Sequence, residues 1–164
     1  MPVTIRPLRP DEAASYREIR LEALRAHPDA FGASFEDEAA RPLATFAERL
    51  TSSVVFAAFE GDTPLGTAGF RADTGPKQAH KGMFWGMYVR PAGRGTGIAR
   101  RLVEAVLDHA RPRVEILRLT VAEGNVPAQK LYDSLGFTVY GVEPRALRVE
   151  GRMVNEVLMA KYPI

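Results

Sequence analysis

A chain of 164 residues, 46% apolar and 26% charged, has the size and composition of one folded domain with a substantial core, and a single domain over 1–164 is expected. Twenty-two Lys and Arg stand against 20 Asp and Glu, a net charge of +2 that is too mild to argue for nucleic acid as a partner. The sequence holds no Cys, which removes disulfides, thiolate metal sites and a cysteine nucleophile together.

The N-terminal MPVTIRPLRP has no apolar stretch of signal-peptide length, and the longest unbroken apolar run, Val54 to Phe59, is far short of a membrane span. A soluble cytoplasmic protein with no membrane partner is the expectation. Val3 to Arg6 reads as a short strand. A helix follows from Pro10-Asp11, with Ala14, Ile19, Leu21 and Leu24 at roughly helical spacing up to His27-Pro28. The segment Phe31 to Pro42 has no period and reads as a loop, and Leu43 to Leu50 supports a second helix. Ser53 to Phe59 and Leu65 to Ala72, joined by EGDTP, read as an antiparallel hairpin, and Met83 to Val89 continues it.

Beyond VRPAGRGTG, residues Ile98, Leu102, Val103, Val106 and Ala110 make the apolar stripe of a third helix. Val114 to Val121 is the next strand. Ala128, Leu131 and Leu135 mark a fourth helix that stops at Gly136, placed as a left-handed C-cap. Thr138 to Val142 and Met153 to Ala160 are the last strands, separated by EPRALRVEGR with turn signals at both ends. The order β-α-α-β-β-β-α-β-α-β-β implies an α/β (α+β) domain with a mixed sheet of about seven strands and helices on both faces.

A glycine-rich turn between strand and helix is a place for anions, because unpaired N–H groups and the helix dipole point at it. The P-loop pattern is absent, since no Gly-Lys-[Ser/Thr] occurs. The dinucleotide pattern GxGxxG fails as well. Counted from Gly95 its third glycine falls on Arg100, and from Gly93 on Ile98.

What fits is Arg94-Gly95-Thr96-Gly97-Ile98-Ala99 after Tyr88-Val89-Arg90-Pro91, which resembles the [Gln/Arg]-x-x-Gly-x-[Gly/Ala] signature of the GCN5-related N-acetyltransferases. The resemblance continues in NVPAQKLYDSLGF, with Asn125, Ala128, Tyr132, Gly136 and Phe137 as in that family's second motif. It implies a mostly antiparallel fold of that family and acetyl-CoA as cosubstrate, with no metal. It also implies that the pyrophosphate lies on the N–H groups of Gly95, Gly97, Ile98 and Ala99, beside Arg94 and Thr96. A bulge before the turn would let Met87, Tyr88 and Val89 present backbone to the pantetheine arm, with the Met87 N–H as oxyanion donor. Asn125 is a helix N-cap in its own right, and the resemblance makes it a cofactor contact too.

The implied reaction is direct attack of a primary amine, of a small molecule or a peptide, on the thioester, with Tyr132 protonating the departing thiolate. A carboxylate should take the amine's proton. Glu36 in SFEDE is the first candidate, Glu38 the second, and Glu123, just past a strand, another. One of Phe84 and Trp85, which alternate on a strand, should face the acceptor while the other enters the core. A catalytically silent CoA-binding module of the same fold is the alternative, and MVNEVLMA could serve a homodimer or simply a sheet.

Overall fold

The computed structural model describes residues 2–164. Its elements are strands β1 (Val3–Pro7), β2 (Val54–Glu60), β3 (Thr63–Ala72), β4 (Lys81–Val89), β5 (Ile116–Ala122), β6 (Thr138–Val149) and β7 (Arg152–Lys161). The helices are α1 (Ala13–Ala26), α2 (Phe35–Ala39), α3 (Leu43–Ser52), α4 (Ile98–Ala110) and α5 (Val126–Ser134). The seven strands form one sheet in the order β1-β2-β3-β4-β5-β7-β6. Neighbours run antiparallel except β4 and β5, which are parallel.

Both faces of the sheet are covered, which is why β2 reads as a continuous apolar run rather than an alternating one. Its odd positions Val55, Ala57 and Phe59 meet Tyr16, Phe46 and Leu50 of α1 and α3. Phe56 and Ala58 enter the larger core with Ile98, Leu102 and Val106 of α4. A strand alternates its side chains, so one run of six apolar residues serves two layers.

Two expectations need correction. The segment taken as a loop holds α2, nucleated by Ser34, whose hydroxyl accepts the Asp37 N–H at 3.1 Å as an N-cap. The segment EPRALRVEGR is mostly strand: β6 and β7 continue as one long hairpin and turn only at Glu150 and Gly151, both at positive φ. Pro144 and Arg145 look like a turn but form a bulge. Arg145 has φ +55, the register shifts between Glu143 and Leu147, and the Arg145 N–H is taken by Asn155 Oδ1 at 2.8 Å.

The start of α1 is tied to β1 by a fork. Arg6 gives two hydrogen bonds to Glu12, at 2.8 and 2.9 Å, and Glu12 Oε1 also accepts the Arg9 N–H. The Arg6 bond holds the Glu12 carboxyl down at about 2, against the opposing effect of burial. A depressed carboxyl stabilises the fold fully above its unfolded pKa of about 4.3 and loses that contribution as pH falls toward 2. Acid titration of stability, by denaturant midpoints from pH 5 to pH 2, should therefore lose about 1–2 kcal/mol less in Glu12→Gln than in the wild type.

Candidate functional site

The site begins where two strands part. β4 pairs with β5 over Lys81, Gly82 and Met83 only, while β5 runs on along β7 to Ala122 and β4 runs on along β3 to Val89. In the β3–β4 ladder Gly69 faces Trp85 and Thr67 faces Tyr88, so two residues of β4, Gly86 and Met87, stand opposite one of β3. Gly86 has φ +67, a conformation that costs glycine little and other residues more. The Thr67 hydroxyl donates to the Gly86 carbonyl at 3.2 Å and patches the bulge. Met87 consequently has no partner in the register of either neighbouring strand.

The parted strands open into a groove of about 1090 Å³. Met87, Tyr88, Val89, Arg94 and Ala99 line one side, and Asn125, Ala128 and Tyr132 the other. At its floor lies a smaller chamber of about 100 Å³ bounded by Trp85, Met87, Thr120 and Tyr132, among others.

At the mouth of the groove, β4 passes through a short turn into α4. Gly97 is the N-cap residue at φ +81 and Gly95 stands at φ +75, and a Cβ at either would project into open space. None of the N–H groups of Gly95, Thr96, Gly97, Ile98 and Ala99 meets a backbone carbonyl among the described residues. Such a row at a helix N-terminus is a nest for an anion, and it can hold a pyrophosphate. Gly93 is small for a different reason. A Cβ there would lie 3.1 Å from Ile98 and Val89, so this glycine lets the turn pack down on the core. The Thr96 hydroxyl donates to the Gly93 carbonyl and serves the turn itself. Arg94 is bent back: its Nε donates to the Val89 carbonyl at 3.2 Å and a terminal nitrogen lies 3.2 Å from His27 Nε2.

Tyr88 borders the groove, but its side chain belongs to the fold. Its hydroxyl donates to Glu22 at 2.7 Å, and burial together with that carboxylate pushes it up to about 12.

Tyr132 is fixed by the end of α5. Asn125 caps the start, Oδ1 accepting the Ala128 N–H at 3.3 Å. At the other end the Phe137 N–H bonds the Tyr132 carbonyl and the Gly136 N–H bonds the Asp133 carbonyl, with Gly136 at φ +94. This is a Schellman closure, and its apolar contact is the pair Tyr132 and Phe137, edge to face at 5.9 Å. Phe84 meets Tyr132 at 5.6 Å from the core side, whereas Trp85 turns to the α1–α3 face and the chamber. The Tyr132 side chain is 5% exposed, and burial raises its hydroxyl well above the ordinary range.

The candidate bases come out differently. Glu36 is exposed on α2 and lines neither groove nor chamber; the Ser34 cap fixes a register in which Glu38, not Glu36, points inward. Glu38 is 3% exposed and clamped by Arg20 through two bonds of 3.1 Å and by Arg49 at 3.0 Å. Burial works against its charge, but Arg20 and then Arg49 outweigh it and hold the carboxyl below its usual range. A carboxylate so held is a poor base. Glu123 does line the groove, exposed, with Asn155 Nδ2 at 3.3 Å. Composition and spacing gave no sign of Thr120 in the chamber or of the pair Arg152 and Asp29, 2.9 Å apart, which joins β7 to the turn after α1.

A family model described as the Acetyltransferase (GNAT) family matches residues 16–137. A ribosomal protein bS18-alanine N-acetyltransferase of Haemophilus ducreyi is 36% identical over 76 residues, 45% of this chain and 52% of that one. The N-alpha-acetyltransferase RimI of Mycobacterium tuberculosis is 44% identical over 63 residues, 38% of this chain and 39% of that one. The chain thus spans about half or less of the length of the curated relatives it matches. Among solved structures, a GNAT-family acetyltransferase of Streptococcus pneumoniae superposes with a TM-score of 0.87 over 98% of this chain and 99% of the other at 22% identity. The yncA protein of Salmonella typhimurium, solved with its cofactor acetyl-CoA, does so with a TM-score of 0.82 over 100% and 95% at 24% identity.

The Glu38 clamp gives a direct test of its structural character. Glu38→Ala leaves two part-buried guanidinium groups unpaired and should cost about 3–5 kcal/mol, on the order of 10 °C in Tm. Acetyl-CoA affinity, measured by calorimetry below the new Tm, should stay within about twofold of wild type.

Proposed function

The chain belongs to the acetyltransferase (GNAT) family, and from that premise we propose that it transfers the acetyl group of acetyl-CoA to a primary amine by direct attack within a ternary complex. The observation that carries the reading is the row of unpaired N–H groups at the start of α4, leading into strands that part above a buried tyrosine. In this reading the N–H groups of Gly95, Thr96, Gly97, Ile98 and Ala99 hold the pyrophosphate, with Arg94 swinging from His27 to add charge. The backbone of Met87, Tyr88 and Val89 takes the place of a neighbouring strand for the pantetheine arm. Asn125 borders the same path.

Bound acetyl-CoA supplies an activated carbonyl and a thiolate leaving group. The Met87 N–H, freed by the bulge, is the donor for charge developing on the carbonyl oxygen. Tyr132 is the general acid. Its raised pKa keeps the phenol protonated, and the dry surroundings that raise it make an emerging thiolate more basic too, so the proton is given up only as sulfur charge develops. The acceptor is a small-molecule or peptide amine. Two relatives are named for alanine or N-alpha acetylation, so a peptide beginning with alanine is the acceptor to try first.

Acetyl-CoA at a hundred times its Kd should add about 2.7 kcal/mol of stability and raise Tm by several degrees; no shift at millimolar acetyl-CoA would sink the reading. Thiol release measured over a panel of amines should show turnover with at least one, and its absence with all of them would leave a binding module. Tyr132→Phe should lower kcat about 100-fold and leave acetyl-CoA affinity within about twofold.

A further inference from the structure

An alkylamine with a pKa of about 10.4 is about 0.1% neutral near pH 7.4, so the reaction proposed above needs a group that takes the ammonium proton. Glu36 is exposed and lines neither groove nor chamber, and Glu38 is held by two arginines. Behind the chamber wall opposite β4, on β7 and outside the chamber lining, lies another carboxylate, Glu156. Thr120 lines the chamber and is exposed, while Leu119 and Val121 on either side of it are buried in the core on the other face of β5. The register sets Ala122 against Glu156 and Thr120 against Leu158, so Thr120 and Glu156 are diagonal neighbours on one face of the sheet. The Thr120 side chain therefore stands beside the Glu156 carboxylate, where its hydroxyl favours the charged form. On its other flank Glu156 stands directly opposite Glu143 of β6. Across the chamber, Trp85 Nε1–H is buried and has no partner among the described residues. An unspent donor, a buried phenol and a hydroxyl backed by a carboxylate make this a polar reaction chamber rather than packing space.

We propose, on the strength of the transferase reading, that Glu156 is the proton acceptor of the reaction and acts through the Thr120 hydroxyl. The ammonium passes one proton to the Thr120 oxygen as the Thr120 hydrogen passes to Glu156, which releases it to solvent. The neutral nitrogen bonds the thioester carbon and the carbon–sulfur bond breaks. The Tyr132 proton goes to sulfur, and the nitrogen's second proton restores Tyr132. Burial, and after it the Glu143 charge, lift the Glu156 carboxyl above its ordinary range, the direction that suits a base working near neutrality. Glu143 is the charged group facing it from β6; β5 brings Thr120 and Ala122, which carry no charge, and then Glu123, bonded to Asn155. On the 28–30 turn, which packs on β5 and β6, Asp29 is paired with Arg152.

The test has a part that needs no turnover. In the protein without ligand, carbon-13 NMR should show Glu156 titrating above the other glutamates, and Glu143→Gln should move it down. With acetyl-CoA and a panel of an alanine-initiated hexapeptide, spermidine and butylamine, Glu143→Gln should move the acidic limb of kcat/KM to lower pH in the same sense. Glu156→Gln should lower kcat about 100-fold at unchanged acetyl-CoA affinity. Thr120→Val should do likewise and Thr120→Ser should restore most of the rate. A wild-type kcat and acidic limb in Glu156→Gln, or an ordinary Glu156 titration that Glu143→Gln leaves in place, overturns the proposal alone. No transfer by the wild type to any of the three amines overturns the transferase reading and the proposal with it.

Discussion

The separation of β4 from β5 after Met83 is the constraint on which the rest of the site depends. Two strands of one sheet would ordinarily satisfy each other's backbone groups along their whole length. Here a bulge at Gly86 and Met87 turns β4 away, and the separation leaves backbone without partners facing a groove. A second chain-like molecule can then complete the ladder. The bulge is held from behind by the Thr67 hydroxyl, so the opening is built into the sheet.

Around this opening the fold sets two kinds of chemistry. The start of α4 presents amide donors, and the end of α5 presents one phenol. Tyr132 owes its position less to hydrogen bonds of its own than to the closure at Gly136 and the two aromatic rings, Phe84 and Phe137, that meet it edge to face. On the face of the sheet that carries Thr120, Glu143 of β6 and Glu156 of β7 stand directly opposite one another.

The parts of this arrangement legible in the sequence are those written in consecutive residues. The turn 94–99, the cap at Asn125, the stop at Gly136 and the hairpin β2–β3 each depend on neighbours within a few positions, and each stands close to where the sequence puts it. Phe84 and Trp85 divide between core and cleft because strand alternation leaves no other choice. What could not be read depends on pairing across long separations. Glu38 looks like one acid in a solvated run until α1 and α3 bring Arg20 and Arg49 to it. Pro144 and Arg145 read as a turn because their local signals are those of a turn, and only Asn155, ten residues further on, makes them a bulge. Thr120 and Glu156 are 36 positions apart and meet only through the register of β5 on β7.

The N–H groups at the start of α4 belong to the main chain, and at Gly95 and Gly97 nothing packs where a side chain would stand. Recognition of that sort survives almost any exchange of the surrounding side chains, provided the two glycine conformations persist. The opposite wall of the groove is made of side chains and of the hairpin β6–β7, where every exchange alters shape or charge. One half of the pocket is thus insulated from sequence drift while the other records it, so the molecule that meets the second wall can change over a lineage while the anion nest at the start of α4 stays as it is.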